Sequence, residues 1–220
     1  DTAEVYDPQT DGWQPLAKMS TARWGLGIAA VAGKIYAIGG MVESNTTLES
    51  VEAYDPQLGA WALVASMSVK RKRHASVVLD GKIYTTGGSG AGASDTVEVY
   101  DPQADSWRRV TSMPQGLHSH AAAAMGDKIY VTGGFSQGGS SNSVFYAYDP
   151  QADAWTQLAS MRTARQRSAS AAVGGKLYVF GGRYGGRGLS TVEVYDPALD
   201  SWAEGSSLIS VRSHSIAAAL

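Results

Sequence analysis

The sequence predicts an all-β chain built from repeated four-stranded antiparallel sheets. Three observations carry that prediction: one phrase recurs five times at near-constant spacing, a second phrase recurs four times between its copies, and apolar and polar residues alternate between strong turn signals. The first phrase is Glu4-Val-Tyr-Asp-Pro-Gln-Thr-Asp-Gly-Trp13, which returns at 52–61, 98–107, 146–155 and 193–202. The second is Gly33-Lys-Ile-Tyr-Ala-Ile-Gly-Gly40, which returns at 81–88, 127–134 and 175–182. The Trp-to-Trp steps are 48, 46, 48 and 47 residues.

Each repeat divides into four short strands. Strand a is small and apolar, at Gly25–Val31, Ala75–Leu79, Ser119–Met125, Ser168–Val173 and Ser213–Leu220. Its alanines suit the innermost strand of a tapering wedge. Strand b is the Lys-Ile-Tyr-x-x-Gly-Gly phrase, strand c carries Val-Glu-x-Tyr, and strand d begins at the Trp. Gly33, Asp80-Gly81, Gly126-Asp127 and Gly174-Gly175 close the a–b hairpins, and Asp-Pro opens the c–d turns. Such four-stranded units every 46–48 residues are the blades of a β-propeller. From each Tyr to the second Gly of the next doublet is always 34 residues, whereas from that Gly to the next Tyr is 14, 12, 14 or 13. All length variation therefore sits in one loop per repeat, which suggests that this loop faces solvent or a partner. The Gly doublet is expected where a side chain would clash, and the repeated Tyr and Trp are expected to fill the gap between neighbouring blades.

These residues resemble the kelch repeat: an Arg before strand a, Gly-Lys-Ile-Tyr-x-x-Gly-Gly, Tyr-Asp-Pro, and a Trp seven residues after that Tyr. Met19, Met67, Met113 and Met161, each four residues before the Arg position, make the chain most similar to the kelch domains of BTB–kelch ubiquitin-ligase adaptors. Leu117 in place of the Arg and Tyr146 in place of the Glu depart from the pattern. The expected organisation is one kelch β-propeller domain over 1–220, with strands c and d in 1–17, complete blades at 18–66, 67–112, 113–160 and 161–207, and strand a in 208–220. The end pieces could share a composite fifth blade that lacks strand b. The favoured alternative is an open arc of a larger ring, because the resemblance implies six blades, or roughly 280 residues at this period. An open arc exposes an unpaired edge and invites association.

Composition narrows the function classes. The chain has 220 residues, 17% charged residues and a net charge of −2, which excludes a bulk polyanion binder and a disordered segment. It has no Cys, so disulfides, thiolate metal sites and a Cys nucleophile are excluded. No apolar run approaches the ~18 residues of a membrane-spanning helix. The first residue is Asp1 and the last run, Ile216 to Leu220, is apolar, so the chain reads as a piece of something longer. The expected location is cytoplasmic, with cytoskeletal association if the chain is a structural subunit.

Charge sorts by loop. Of 18 Lys and Arg, 12 fall in or beside the b–c and d–a loops, which emerge on one face. Of 20 Asp and Glu, 13 fall on strand c or the c–d turn, and only Glu43 lies well inside the first set of loops. The regular Arg23, Arg71, Arg165 and Arg212 are expected to be scaffold ion pairs. The residues that follow them do not repeat: Trp24-Gly25, Lys72-Arg73, His118-Ser119, Gln166-Arg167 and Ser213-His214. Neither do those after Gly-Gly: Met41, Ser89, Phe135 and Arg183-Tyr184. The resemblance implies that these positions form a peptide-contacting rim. Carried onto this chain, it makes Arg73, Arg167 and Arg183 carboxylate or phosphate forks, and Trp24, Phe135 and Tyr184 apolar anchors, with Met41, Lys72, His118, Gln166, Ser213 and His214 beside them.

Weaker motifs are read as structural. Lys70-Arg-Lys-Arg-His74 resembles a basic localisation patch but runs straight into a strand, so a solvated turn is expected. His118-x-His120 places two imidazoles on one side of a strand, yet further metal ligands are not evident. Asn45-Thr-Thr47 is a glycosylation sequon relevant only to a secreted protein. The Gly-rich stretches 87–92 and 181–188 do not lead into helices, so phosphate-loop motifs do not apply. The expected function is a non-enzymatic module that binds an acidic or phosphorylated protein segment, without cofactor, metal, nucleic acid or membrane. A structural subunit of a large assembly is the alternative. A kelch-type enzyme is disfavoured, since the copper-radical type needs a Cys-linked Tyr and no carboxylate–His constellation converges on the basic face.

Overall fold

The computed structural model describes residues 2–136, 138–215 and 217. Among these residues there is no helix, and the backbone forms four four-stranded antiparallel sheets, each in the order a-b-c-d. The first runs Gly27–Val31, Lys34–Ile38, Val51–Asp55 and Ala60–Val64. The second is Ala75–Leu79, Lys82–Thr86, Val97–Asp101 and Ser106–Val110. The third is Ala121–Met125, Lys128–Thr132, Phe145–Asp149 and Ala154–Gln157, and the fourth is Ala169–Val173, Lys176–Phe180, Val192–Asp196 and Ser201–Gly205. A two-stranded hairpin, Glu4–Asp7 with Gly12–Pro15, precedes them. Successive sheets touch through their a strands. This is the β-propeller architecture. Of the anticipated closing strand at 213–220, residues 216 and 218–220 lie outside those described, and residues 213–215 and 217 are not in a strand.

Strand a begins later than expected in three sheets, at residues 27, 121 and 169. In the first and third, the expected start carries a left-handed residue, Gly25 at φ 63° and Ser119 at φ 55°. A strand cannot pass through that conformation. Strand d begins one residue before its Trp in every complete sheet.

The repeated Arg explains how each blade holds its loops. Arg71 donates from Nη1 to the carbonyls of Gly87 and Thr96 at 2.6 and 3.1 Å, and from Nη2 to Glu98 at 2.6 Å. Glu98 in turn accepts from the Ser68 amide at 2.7 Å. Arg23 with Glu52, and Arg165 with Glu193, repeat this at 2.7 and 2.6 Å. All three guanidinium groups are fully buried. One buried pair thus ties the d–a loop, the end of strand b and the start of strand c. In the third sheet both members change together. Leu117 and Tyr146 are buried in one apolar cluster with Val97, Met113 and Val131. Arg212 is exposed and, among the described residues, makes no ion pair.

The Gly doublet is required by close approach. The amide of Gly40 donates to the Arg71 carbonyl of the next sheet at 2.9 Å. A Cβ on Gly39 would sit 2.6 Å from that oxygen. Outside this seam, the core packs aliphatic and aromatic side chains between sheets, including Tyr36 with Tyr100 at 5.6 Å and Tyr130 with Tyr195 at 6.4 Å between ring centroids.

Removing one member of a buried pair leaves an uncompensated charge, so Glu98→Ala alone is expected to cost about 3–5 kcal/mol. The double change Arg71→Leu with Glu98→Tyr, which installs what the third sheet carries, is expected to recover most of that loss. Urea denaturation midpoints of the two variants measure both.

Candidate functional site at the basic loop face

The d–a and b–c loops meet pairwise. Backbone bridges join Trp24 to Met41, Lys72 to Ser89, His118 to Phe135 and Gln166 to Arg183. Two residues after each Arg position, the backbones of neighbouring sheets form a ladder. The Arg73 amide donates to Gly25, Ser119 to Arg73, and Arg167 to Ser119, each at 2.7 Å, and His214 to Arg167 at 3.0 Å. All five residues are left-handed, with φ between 54° and 63°. The ladder immediately precedes the a strands, which line a cavity of about 460 Å³ with His74, Ser168 and Ser215 at its rim.

The ladder gathers positive charge. Arg167 is held below the usual arginine value by burial and then by the fields of Arg73 and Arg183. His118 is pushed down by burial, then Arg73 and Arg167, and His214 by burial, then Arg167, Arg183 and Arg73. Three guanidinium groups and two imidazoles therefore sit within one another's fields. No carboxylate pairs with Arg73, Arg167 or Arg183 among the described residues. Aromatic surface lies beside them. Arg73 Cζ and Lys72 Nζ each lie 5.6 Å from the centroid of the Trp24 ring, which is 43% exposed. Cation–aromatic contact of this kind orients a guanidinium fork before any ligand arrives. Phe135 packs on His118 at 5.3 Å, and Tyr184 is exposed on a short hairpin whose turn is held by Arg183 donating to the Gly186 carbonyl at 2.7 Å.

Most predicted rim residues are accessible. Lys72, Arg73, His118, Phe135, Gln166, Arg167, Arg183 and Ser213 are half-buried, and Trp24, Tyr184 and His214 are exposed. Met41 is not a rim residue: it is 2% exposed and its sulfur accepts from Lys72 Nζ at 2.8 Å, so it supports the rim from beneath. The stretch 70–74 is not a solvated turn, because Arg71 and His74 are buried. His118 and His120 do not share a strand side. His118 lies in the rim, while His120 is buried with Nε2 2.8 Å from Thr86 Oγ1. No cluster of three metal-ligating side chains occurs among the described residues. Arg23, Arg71 and Arg165 are neutralised inside the scaffold, so the charge offered by the face comes from the non-repeating residues together with the exposed Arg212. Glu49 also adjoins the face, 3.7 Å from Lys70. Sequence reasoning missed the backbone ladder; its one signal was Gly25 standing in phase with Arg73 and Arg167.

Comparison with known proteins agrees with the architecture. The sequence model of the Attractin/LZTR1 beta-propeller family matches residues 1–213, and the chain belongs to that family. No curated protein matches it. Among solved structures, the one titled "Structure of YjhT" superposes with a TM-score of 0.86 at 16% identity, covering 99% of this chain and 80% of that one. Similarity at that level speaks to the fold.

The buried histidines give the fold an acid limit. Burial, then the charges of Arg71 and His120, keeps His74 well below its ordinary 6.5; burial, then His118 and Arg71, takes His120 to about 3. Both are neutral when folded, whereas the unfolded chain protonates them near 6.5. Their contribution to stability is therefore complete above pH 6.5 and is lost as pH falls toward the folded values. Each such group adds a slope of up to ~1.4 kcal/mol per pH unit. His120→Gln is expected to flatten the fall in urea midpoint between pH 6.5 and 4 relative to the parent chain.

Proposed function

We propose that this chain is a non-enzymatic protein-interaction module that binds an acidic or phosphorylated segment of a partner protein on its basic loop face. The observation that carries this reading is the set of three guanidinium groups, Arg73, Arg167 and Arg183, that lie in one another's fields with no carboxylate partner among the described residues. Arginine forks of this kind favour carboxylate or phosphate oxygens, and an anion would relieve their mutual repulsion. Trp24, Phe135 and Tyr184 would supply the apolar contacts that give a charged peptide its residence time. The reading calls for no cofactor, and its expected setting is the cytoplasm. Service within a cullin ubiquitin-ligase adaptor belongs to the same proposal and rests on the repeat resemblance alone.

An immobilised library of Asp-, Glu- and phosphoserine-containing peptides tests it. The parent chain is expected to retain acidic peptides, with binding that weakens as salt rises. Arg73→Glu with Arg167→Glu is expected to lose at least about 2 kcal/mol of affinity, since each reversal leaves a ligand charge unpaired. Equal retention by both chains, at equal folding by circular dichroism, overturns the reading.

A further inference from the structure

The b–c loops of the first and second sheets face each other across the d–a loop between them and leave a groove of about 590 Å³. That volume lies in the range of small-molecule sites. Thr46 and Thr47 of the first sheet's loop line one side, and Gly90, Ala91 and Gly92 of the second sheet's loop line the other. A Cβ on Gly90 would collide with the Lys70 carbonyl, so glycine lets this loop close down on the d–a segment. The amides of Ala91 and Gly92 donate to nothing among the described residues. Two cations, Lys70 and Arg109, complete the lining. Arg109 donates from Nε to Ser68 Oγ at 3.0 Å, which orients its guanidinium, and no carboxylate pairs with it among the described residues. Lys70 lies 3.7 Å from Glu49 with both side chains exposed, and such a pair holds its members weakly.

The scaffold does not ask for these cations. The same kind of groove, of about 450 Å³, recurs between the second and third sheets. In repeat phase, Gly116 stands there in place of Lys70, Gln157 in place of Arg109 and Asp95 in place of Glu49. Between the third and fourth sheets the two cationic positions are Ala164 and Glu204. The seam therefore forms equally well with a cation, a neutral residue or an acid at these positions. Arg109 even works against its own sheet. The buried Arg71 is held below the usual arginine value chiefly by burial, and the field of Arg109 pushes in the same direction.

We infer that this groove binds a small phosphorylated polyol, its phosphate held by Lys70 and Arg109 and its hydroxyls by Thr46, Thr47 and the bare amides of the 90–92 loop. The charges match, since a phosphate monoester carries about two negative charges near neutral pH and a guanidinium with an ammonium answers them. No aromatic ring lines the groove among the described residues, so it lacks the anchor on which a peptide side chain would settle. Threonine hydroxyls and free peptide groups instead suit a ligand rich in hydroxyls. The groove shares no residue with the rim of Arg73, Arg167 and Arg183, and neither reading rests on the other.

Calorimetric titration of the full chain tests it. The probes are glucose 6-phosphate, ribose 5-phosphate and glycerol 3-phosphate, each beside its unphosphorylated parent, together with inorganic phosphate and a phosphoserine peptide. At least one polyol phosphate is expected to bind saturably, and at least about tenfold more tightly than its parent or inorganic phosphate. Lys70→Gln and Arg109→Gln are each expected to weaken that binding about tenfold. Both side chains are exposed, so the fold survives their loss, and circular dichroism checks it. Thr47→Val is expected to weaken the polyol phosphate and to leave inorganic phosphate unchanged. Absence of saturable binding by every polyol phosphate overturns the inference, as does equal binding of inorganic phosphate or preference for the phosphopeptide. So does binding that survives both groove variants and is lost with Arg73→Glu and Arg167→Glu, which would place the phosphate on the rim.

Discussion

Everything on the loop face depends on a buried ion pair. A guanidinium and a carboxylate removed from water are costly unless good geometry and further hydrogen bonds offset the loss of solvent. Here the two Nη groups of the Arg donate to the Glu and to the carbonyls that end strand b and begin strand c, the Glu takes the amides of the entering loop, and the buried Nε has no partner among the described residues. The pair therefore acts as a spacer of fixed dimensions between three chain segments that have no regular hydrogen-bonding relation to each other. Its replacement in the third sheet by Leu117 and Tyr146 shows the other physical solution, in which an apolar contact of similar extent fills the same space. Because both solutions keep the loop mouth at one geometry, the residues beyond it can differ from blade to blade.

That separation of duties accounts for the charge pattern. Arg23, Arg71 and Arg165 are silent outside the protein, since each is matched within a few ångströms by its own Glu. Arg73, Arg167 and Arg183 lie one loop layer further out, where no carboxylate pairs with them among the described residues, so their fields add. A rigid rim with unmatched charge is already arranged for an anion and has little conformational freedom left to lose on binding.

The repeat made the fold legible. Phrase spacing located all four sheets, because strand length, turn type and the Tyr–Trp contacts are set by residues close in sequence or at one fixed period. Strand starts were less legible, since the left-handed residues at 119 and 167 have side chains that give no sign of their backbone. Burial was least legible. Met41 and His74 occupy loop positions by sequence, yet the loops fold back over them. The role of Arg71 could be read from its recurrence, whereas its neighbour Lys72 could be placed only once Met41 and Trp24 were seen beneath it. Side chains that do not repeat carry no internal control, and their surroundings come from other loops, 17 residues away for His118 and Phe135 and 31 for Lys72 and Met41.

The backbone ladder at the mouth separates shape from identity. Gly25, Arg73, Ser119, Arg167 and His214 make the same kind of hydrogen bond through main-chain atoms alone, and their side chains have no part in it. The scaffold asks only that the residue tolerate a left-handed backbone, at a cost of roughly 1–2 kcal/mol for anything but glycine. Each blade thus contributes one slot at the mouth whose letter can be rewritten while the word length and spacing stay fixed. In this chain the letters read neutral, cationic, hydroxyl, cationic, imidazole. A propeller of this kind can change the chemistry it displays by single substitutions at these slots, with the frame around them left undisturbed.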